Sequence, residues 1–296
     1  MGSPPEDIVD VKIPMGIFSI NVRAFWRWFT KKKQEGEPVL LVARRFLQSF
    51  EDHGVAVSQI PRLIPQVSLD QLHSEESLLP ALTPEVLRQT ADLFGIRREW
   101  LEGTTGVIYD IHPSYKNPWA FFDDVKTMKI DEFAFPLVAF CSSDRLDSSS
   151  RHGTKQPIVL VLRESCAELE DKTIYRYRIH DEFCWGYWKC RIQLKAMTRI
   201  WYKKYQASVP IYRIDKKALS AIEEGLVVPR LFYQNSRRMR DADLKDYSLL
   251  PSESRQSKDE DEFPTVLAYI ETYKLEHVGE DRVRNPSGSE ETHKFT

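Results

Sequence analysis

The stretch Gly54–Gly103, GVAVSQIPRLIPQVSLDQLHSEESLLPALTPEVLRQTADLFGIRREWLEG, decides how the chain is read. Its last third carries the strongest local signals. Thr83 is a suitable N-cap, Pro84 a suitable first helical residue, and Glu85 complements the positive end of the helix dipole. Val86, Leu87, Thr90, Ala91 and Phe94 recur at helical spacing, and Gly95 is a natural stop. A short amphipathic turn, Ile96 to Leu101, then closes at Gly103. Upstream, the spacing predicts a helix over Arg45–His53 with Phe46, Leu47 and Phe50 inward. A second is expected over Val57–Ile64, with Pro61 inside it, where proline removes a backbone hydrogen bond. A third, capped by Ser68, would run from Leu69 to Ser74. Residues 40–103 are therefore expected to form a bundle of about five helices with Phe46, Phe50, Leu63, Leu87, Ala91, Phe94 and Leu101 in one core.

Leu93-Phe94-Gly95-Ile96 followed by Trp100-Leu101-Glu102-Gly103 resembles the closing part of the helix-turn-helix domain of the Xre/Cro-repressor family. That domain ends in a helix, a Gly-Val/Ile pair and a short helix closing on Leu-x-Gly. The resemblance covers roughly a fifth of the chain. It implies double-stranded DNA as a partner, with Gln59 at a phosphate-contacting position and Leu69–Ser74 as the recognition helix. Ser68, Asp70, Gln71, His73 and Ser74 would face the bases, since Asp accepts from cytosine N4 and Gln reads adenine. It also implies a homodimer, because half-sites pair by symmetry.

Charge distribution qualifies that expectation. Residues 43–103 hold six basic and nine acidic side chains, a net of −3. Phosphate neutralisation supplies most non-specific DNA affinity, so it would have to come from the flanks: Lys31, Lys32 and Lys33, at the end of an aromatic helix expected over Asn21–Gln34, and Arg44 and Arg45. Residues 174–217 are the opposite, with eleven basic and three acidic side chains, a net of +8. From Trp188 to Tyr202 every even position is apolar or Thr, which argues for a long half-buried strand. Lys189, Arg191, Lys195, Arg199 and Lys203 would then share a face, joined by Arg176 and Arg178 from a neighbouring strand. That face would take a small anionic ligand, a nucleic acid, or an acidic segment, from a partner protein or from the chain's own run Asp259–Glu262. The same spacing of 191, 195, 199 and 203 also fits a basic ridge on a helix.

The fold class expected is α+β: a helical domain over 1–108 followed by an antiparallel-sheet domain over 109–230 with helices on one face, its order similar to PAS-like sensor folds. Residues 104–118 read as a linker. Phe135–Phe140, Pro157–Leu162 and Ile174–Ile179 read as strands, Ser165–Asp171 as a short helix or turn, and Lys216–Glu224 as a helix stopped by Gly225. A flexible tail over 231–296 would carry one helix near 263–277. Cys141, Cys166, Cys184 and Cys190 are widely spaced and read as reduced thiols of a cytoplasmic protein. No apolar run of about 18 residues and no secretory leader pattern occur. No glycine-rich phosphate loop, no metal-spaced Cys/His set and no convincing catalytic spacing among Asp123, Asp124, Asp144, Glu164 and Lys172 occur. No enzyme, metal or cofactor is expected. Two functions stay open: a DNA-binding transcriptional regulator with a sensor or dimerisation domain, and a protein-interaction module with a degenerate helix-turn-helix and a basic sheet face.

Overall fold

The structure, a computed structural model, describes residues 38–128, 136–148, 155–170, 172–233, 237–250, 252–253 and 260–278. The expected aromatic helix with Lys31, Lys32 and Lys33, the run from 254 to 259 and the end of the chain from 279 lie outside them.

The helical part begins with α1 (Pro38–Asp52), which starts earlier than expected, and Gly54 ends its turn at a positive φ of 85°. Short helices α2 (Ile60–Leu63) and α3 (Glu75–Leu78) follow. Then α4 (Pro84–Phe94) forms as its local signals dictate. The Thr83 side chain accepts from the Val86 amide, Pro84 opens the helix, and Gly95 ends it at φ 63°. α5 (Arg98–Leu101) closes the unit. Phe46, Phe50, Phe94 and Leu101 are fully buried, and Phe50 meets Phe94 edge-on at 5.0 Å between ring centroids. Leu63 is only half-buried. Leu87, 7% exposed, packs within this core. Leu87→Ala is expected to cost about 2–5 kcal/mol in urea denaturation, and a loss within about 0.5 kcal/mol would contradict that packing.

The sheet that follows is mixed, not antiparallel. β1 (Ile111–His112), β2 (Leu137–Cys141), β3 (Pro157–Leu169), β4 (Lys172–His180), β6 (Pro210–Arg213) and β7 (Arg237–Asp243) lie in the order β1-β4-β3-β2-β6-β7, and β5 (Phe183–Cys184) pairs with β3. β1/β4 and β2/β6 are parallel, and the other pairs are antiparallel. β3 runs through 165–169, where a helix or turn was expected, and a register shift between Ser165 and Ala167 carries it there. α6 (Pro118–Lys126) precedes β2, and α7 (Trp188–Tyr205) is the crossover that lets β6 return parallel to β2.

The expected long strand at 188–203 is thus an 18-residue helix. Alternation misleads there because the helix is buried nearly all round: every residue from Cys190 to Trp201 is buried. A helix covered on all sides has no polar stripe to reveal its period. One side lies on the sheet with Phe121, Leu160 and Leu162, the other under Tyr247 and α9 (Phe263–Thr272), from which Val266 and Ile270 enter the same core. The other sheet face carries Val138, Phe140, Val159 and Val161 and packs under α8 (Lys216–Glu223). The sheet is therefore covered on both sides.

The described residues belong to one compact unit. The expected linker, 104–118, is held from both directions. The Ile108 and Tyr109 amides donate to the Gly225 carbonyl at 2.7 and 3.1 Å, and the Tyr109 hydroxyl meets His53 Nε2 at 2.9 Å. Gly225 has φ 68°, and a Cβ there would strike the Tyr109 carbonyl oxygen. Gly225→Ala is expected to destabilise by about 2 kcal/mol or more. An unchanged midpoint in thermal unfolding would refute this. Among the described residues no helix is long and apolar enough to cross a membrane.

Candidate functional site

The segment aligned with a recognition helix is a five-residue 3-10 helix, Leu69–His73, and the expected second helix splits into a 3-10 turn, Val57–Gln59, and α2. Pro61 sits in the first turn of α2, where its missing N–H costs nothing. Most side chains expected to read DNA are engaged at home. The Ala56 amide donates to Gln59 Oε1 at 3.1 Å, and the Ser68 amide to Gln71 Oε1 at 2.9 Å. Ser74 Oγ accepts from the Ser77 amide at 3.2 Å and caps α3. The His73 ring contacts the Asp70 carbonyl. Asp70 stays below the usual carboxylate range through a hydrogen bond from Ser68. Arg44 pairs with Glu75 at 2.7 Å, while Arg45 donates to the Trp100 and Thr105 carbonyls and stacks on the Trp100 ring. Beside these, two large apolar side chains face solvent on the adjacent 3-10 turns, Val57 at 44% and Leu69 at 61% exposure.

The expected basic face is differently built. Arg191, Lys195 and Arg199 follow one helical ridge but are 4%, 1% and 4% exposed. Glu262 binds two of them, Arg191 Nε at 3.0 Å and Lys195 Nζ at 2.6 Å. Glu253 binds Arg199 at 2.7 Å. The Trp185 carbonyl accepts from Arg191 at 2.6 Å, the Ser248 carbonyl accepts from Arg199 at 3.1 Å, and Lys195 and Arg199 lie over the Trp185 and Phe263 rings. Burial raises the Glu262 pKa, yet hydrogen bonds from Arg191 and Lys195 hold it below the usual range. Lys189 lies over the Trp188 ring and Lys203 is exposed at the far end. The surface reading of 191, 195 and 199 fails because the chain's own carboxylates occupy the ridge. The acidic run was among the expected counter-charges, and its last residue, Glu262, binds Arg191 and Lys195.

Arg176 and Arg178 join a second network that the sequence did not announce. Arg176 Nε contacts Glu164 Oε2 at 2.9 Å, and Arg178 donates to the Asp124 carbonyl at 2.9 Å and to Thr127 Oγ1 at 2.6 Å. Asp124 Oδ2 lies 2.8 Å from His112 Nδ1 and 4.0 Å from His180 Nε2. Burial pushes His180 down to about 3. For Asp124, burial acts upward, and the His112 hydrogen bond with the nearby His180 and Arg178 charges holds it low. The arrangement ties α6 to β4 and orients the His112 ring. Its members lie too far apart in sequence for spacing to reveal them.

Among the described residues no set of three His, Cys, Asp or Glu side chains is arranged to hold a metal ion. All four cysteines are free thiols, and burial pushes Cys141 up to about 11 and Cys166 and Cys190 up to about 12. No protein-family model, curated protein or solved structure matches the chain.

Proposed function

We propose that the chain is a protein-interaction module whose helical unit, similar in part to an Xre/Cro helix-turn-helix, contacts a partner protein instead of reading bases. One observation supports this reading best. Where a recognition helix would lie, Gln59, Gln71 and Ser74 are spent on capping, while Val57 and Leu69 stand exposed beside each other's turns. A 3-10 helix of five residues at about 2 Å per residue spans about 10 Å, too short to line a major groove. The local net charge of −3 repels phosphate. The partner fitted to this edge offers an apolar pocket with a basic rim.

The test compares two ligands. Duplex DNA of mixed sequence is titrated at about 50 mM and about 200 mM salt. No complex at either salt is expected. A complex that weakens steeply with salt would overturn the reading in favour of the DNA-binding regulator, with Lys31, Lys32 and Lys33 as phosphate contacts. In parallel, a photo-crosslinking residue at position 69 is expected to capture protein, and Val57→Lys to abolish that capture. Equal capture from position 88, on the exposed side of α4, would also refute it.

A further inference from the structure

β1, β2, β4 and β6 all run in one direction, and β3 and β7 run against them. The carboxyl ends of β2, β4 and β6 therefore share one edge of the sheet. Ser142 and Ser143 follow β2 there, Glu182 follows β4, and α8 springs from β6. In open sheets such an edge opens a crevice, because the chain leaves neighbouring strands toward opposite faces. Here the crevice has a volume of about 660 Å³, within the roughly 300–1,000 Å³ of small-molecule sites.

The walls of this crevice carry both signs of charge. Its lining includes Glu182 and Glu223, both half-buried, and the Glu182 charge acts on the Glu223 carboxyl. Glu223 is not on a loose surface segment. Asp215 caps α8, Ala218, Leu219 and Ile222 bury its inner face, and the Gly225 turn locks its end onto 108–109. Burial, then the Glu182 charge, raises the Glu223 pKa, while Lys155 acts in the opposite sense. Two neighbouring carboxylates repel, and a cation beside both relieves that repulsion. Lys155 and Lys216 also line it, both exposed, and form no ion pair among the described residues. Asp144, also in the lining, is already paired with Arg213 at 2.8 Å.

We propose that this crevice binds a small zwitterion of the amino-acid class, its cationic head between Glu182 and Glu223 and its carboxylate between Lys155 and Lys216. The head relieves the repulsion between the two carboxyl groups, and a guanidinium would do so with two paired hydrogen bonds. Ser142 and Ser143 offer hydroxyls along the wall.

The test is calorimetric titration and thermal shift on the full chain with L-arginine, with agmatine (the same head without the carboxylate), and with MgCl2 alone. Arginine is expected to bind and raise Tm, and agmatine to bind about tenfold more weakly. Glu182→Gln/Glu223→Gln should weaken arginine at least about tenfold while leaving the unliganded Tm equal or higher, since it removes a repulsion. Lys155→Ala/Lys216→Ala should erase the preference for arginine over agmatine. Arginine binding unchanged in the glutamine variant would overturn the proposal, as would binding by neither amine. A lowered Tm of the unliganded glutamine variant would make the carboxyl pair structural and also overturn it. Stabilisation by Mg²⁺ alone, lost in that variant, would assign the pair to a metal ion instead.

Discussion

Arg191→Glu/Lys195→Glu is expected to give no folded protein. Each side chain sits in the core beside Glu262, so the double reversal would set two new carboxylates against one that has lost both partners. Uncompensated buried charge costs several kcal/mol per ion, against a total stability of about 5–15 kcal/mol for an ordinary domain. Single truncation should act in the same direction. Glu262→Ala leaves Arg191 and Lys195 buried without their shared carboxylate and should cost about 3 kcal/mol or more. A further variant separates charge from folding. Replacing all three residues with apolar side chains of similar size is expected to be near neutral, because the pairs and the desolvation they compensate vanish together. Urea denaturation of the three variants decides the matter. A double reversal that folds with wild-type stability would mean the ridge is solvated, and the basic-surface reading would return.

That ridge also shows which signals a sequence carries. Thr83, Pro84 and Gly95 predict α4 correctly because caps act through bonds to their immediate neighbours. Phe135–Phe140 and Pro157–Leu162 read as strands because buried strands are short apolar runs. The segment 188–203 misleads because its even positions satisfy period two by coincidence, whereas the spacing of four among Arg191, Lys195 and Arg199 is the real period. Its length was a further clue: a strand of 16 residues far exceeds the usual 3–10. Parallel pairing of β2 with β6 follows from that helix, so misreading one element misassigned the sheet. The cluster at Asp124 draws on His112, Glu164, Arg178 and His180, and the crevice draws on Lys155, Glu182, Lys216 and Glu223. Only the folded topology brings these together, and no local pattern encodes it. The contact of Glu262, the last residue of the acidic run, with the basic stretch was legible as charge complementarity, without any hint that it would be buried.

Stability should fall steeply as pH drops from about 6.5 toward 5, earlier than carboxylate titration alone would cause. Two buried histidines set that window. His53 stacks on Phe94 at 4.1 Å, its Nδ1 meets the Ser49 carbonyl at 2.6 Å, and its Nε2 accepts from Tyr109. His180 is fully buried against Phe121, and neither ring nitrogen has a hydrogen-bond partner among the described residues. Burial is the main cause that lowers each to about 3, against the usual 6.5. Above 6.5 both rings are neutral folded and unfolded, and the stability is fully present. Below it the unfolded chain takes up protons that the folded chain refuses, so stability is lost as pH falls toward 3. Each histidine contributes up to about 1.4 kcal/mol per pH unit, so the two together remove roughly 4 kcal/mol by pH 5. The Glu262, Glu253 and Asp124 carboxylates, all held low in the fold, add their own loss only below about 4.5. Urea denaturation at pH 7 and pH 5 isolates the histidine effect. His180→Leu should be close to neutral at pH 7, since it removes two unpartnered nitrogens, and should be more stable than wild type at pH 5 by about 2 kcal/mol. If His180→Leu keeps the full wild-type pH dependence, His180 is protonated in the fold and Asp124, 4.0 Å from its Nε2, is its partner.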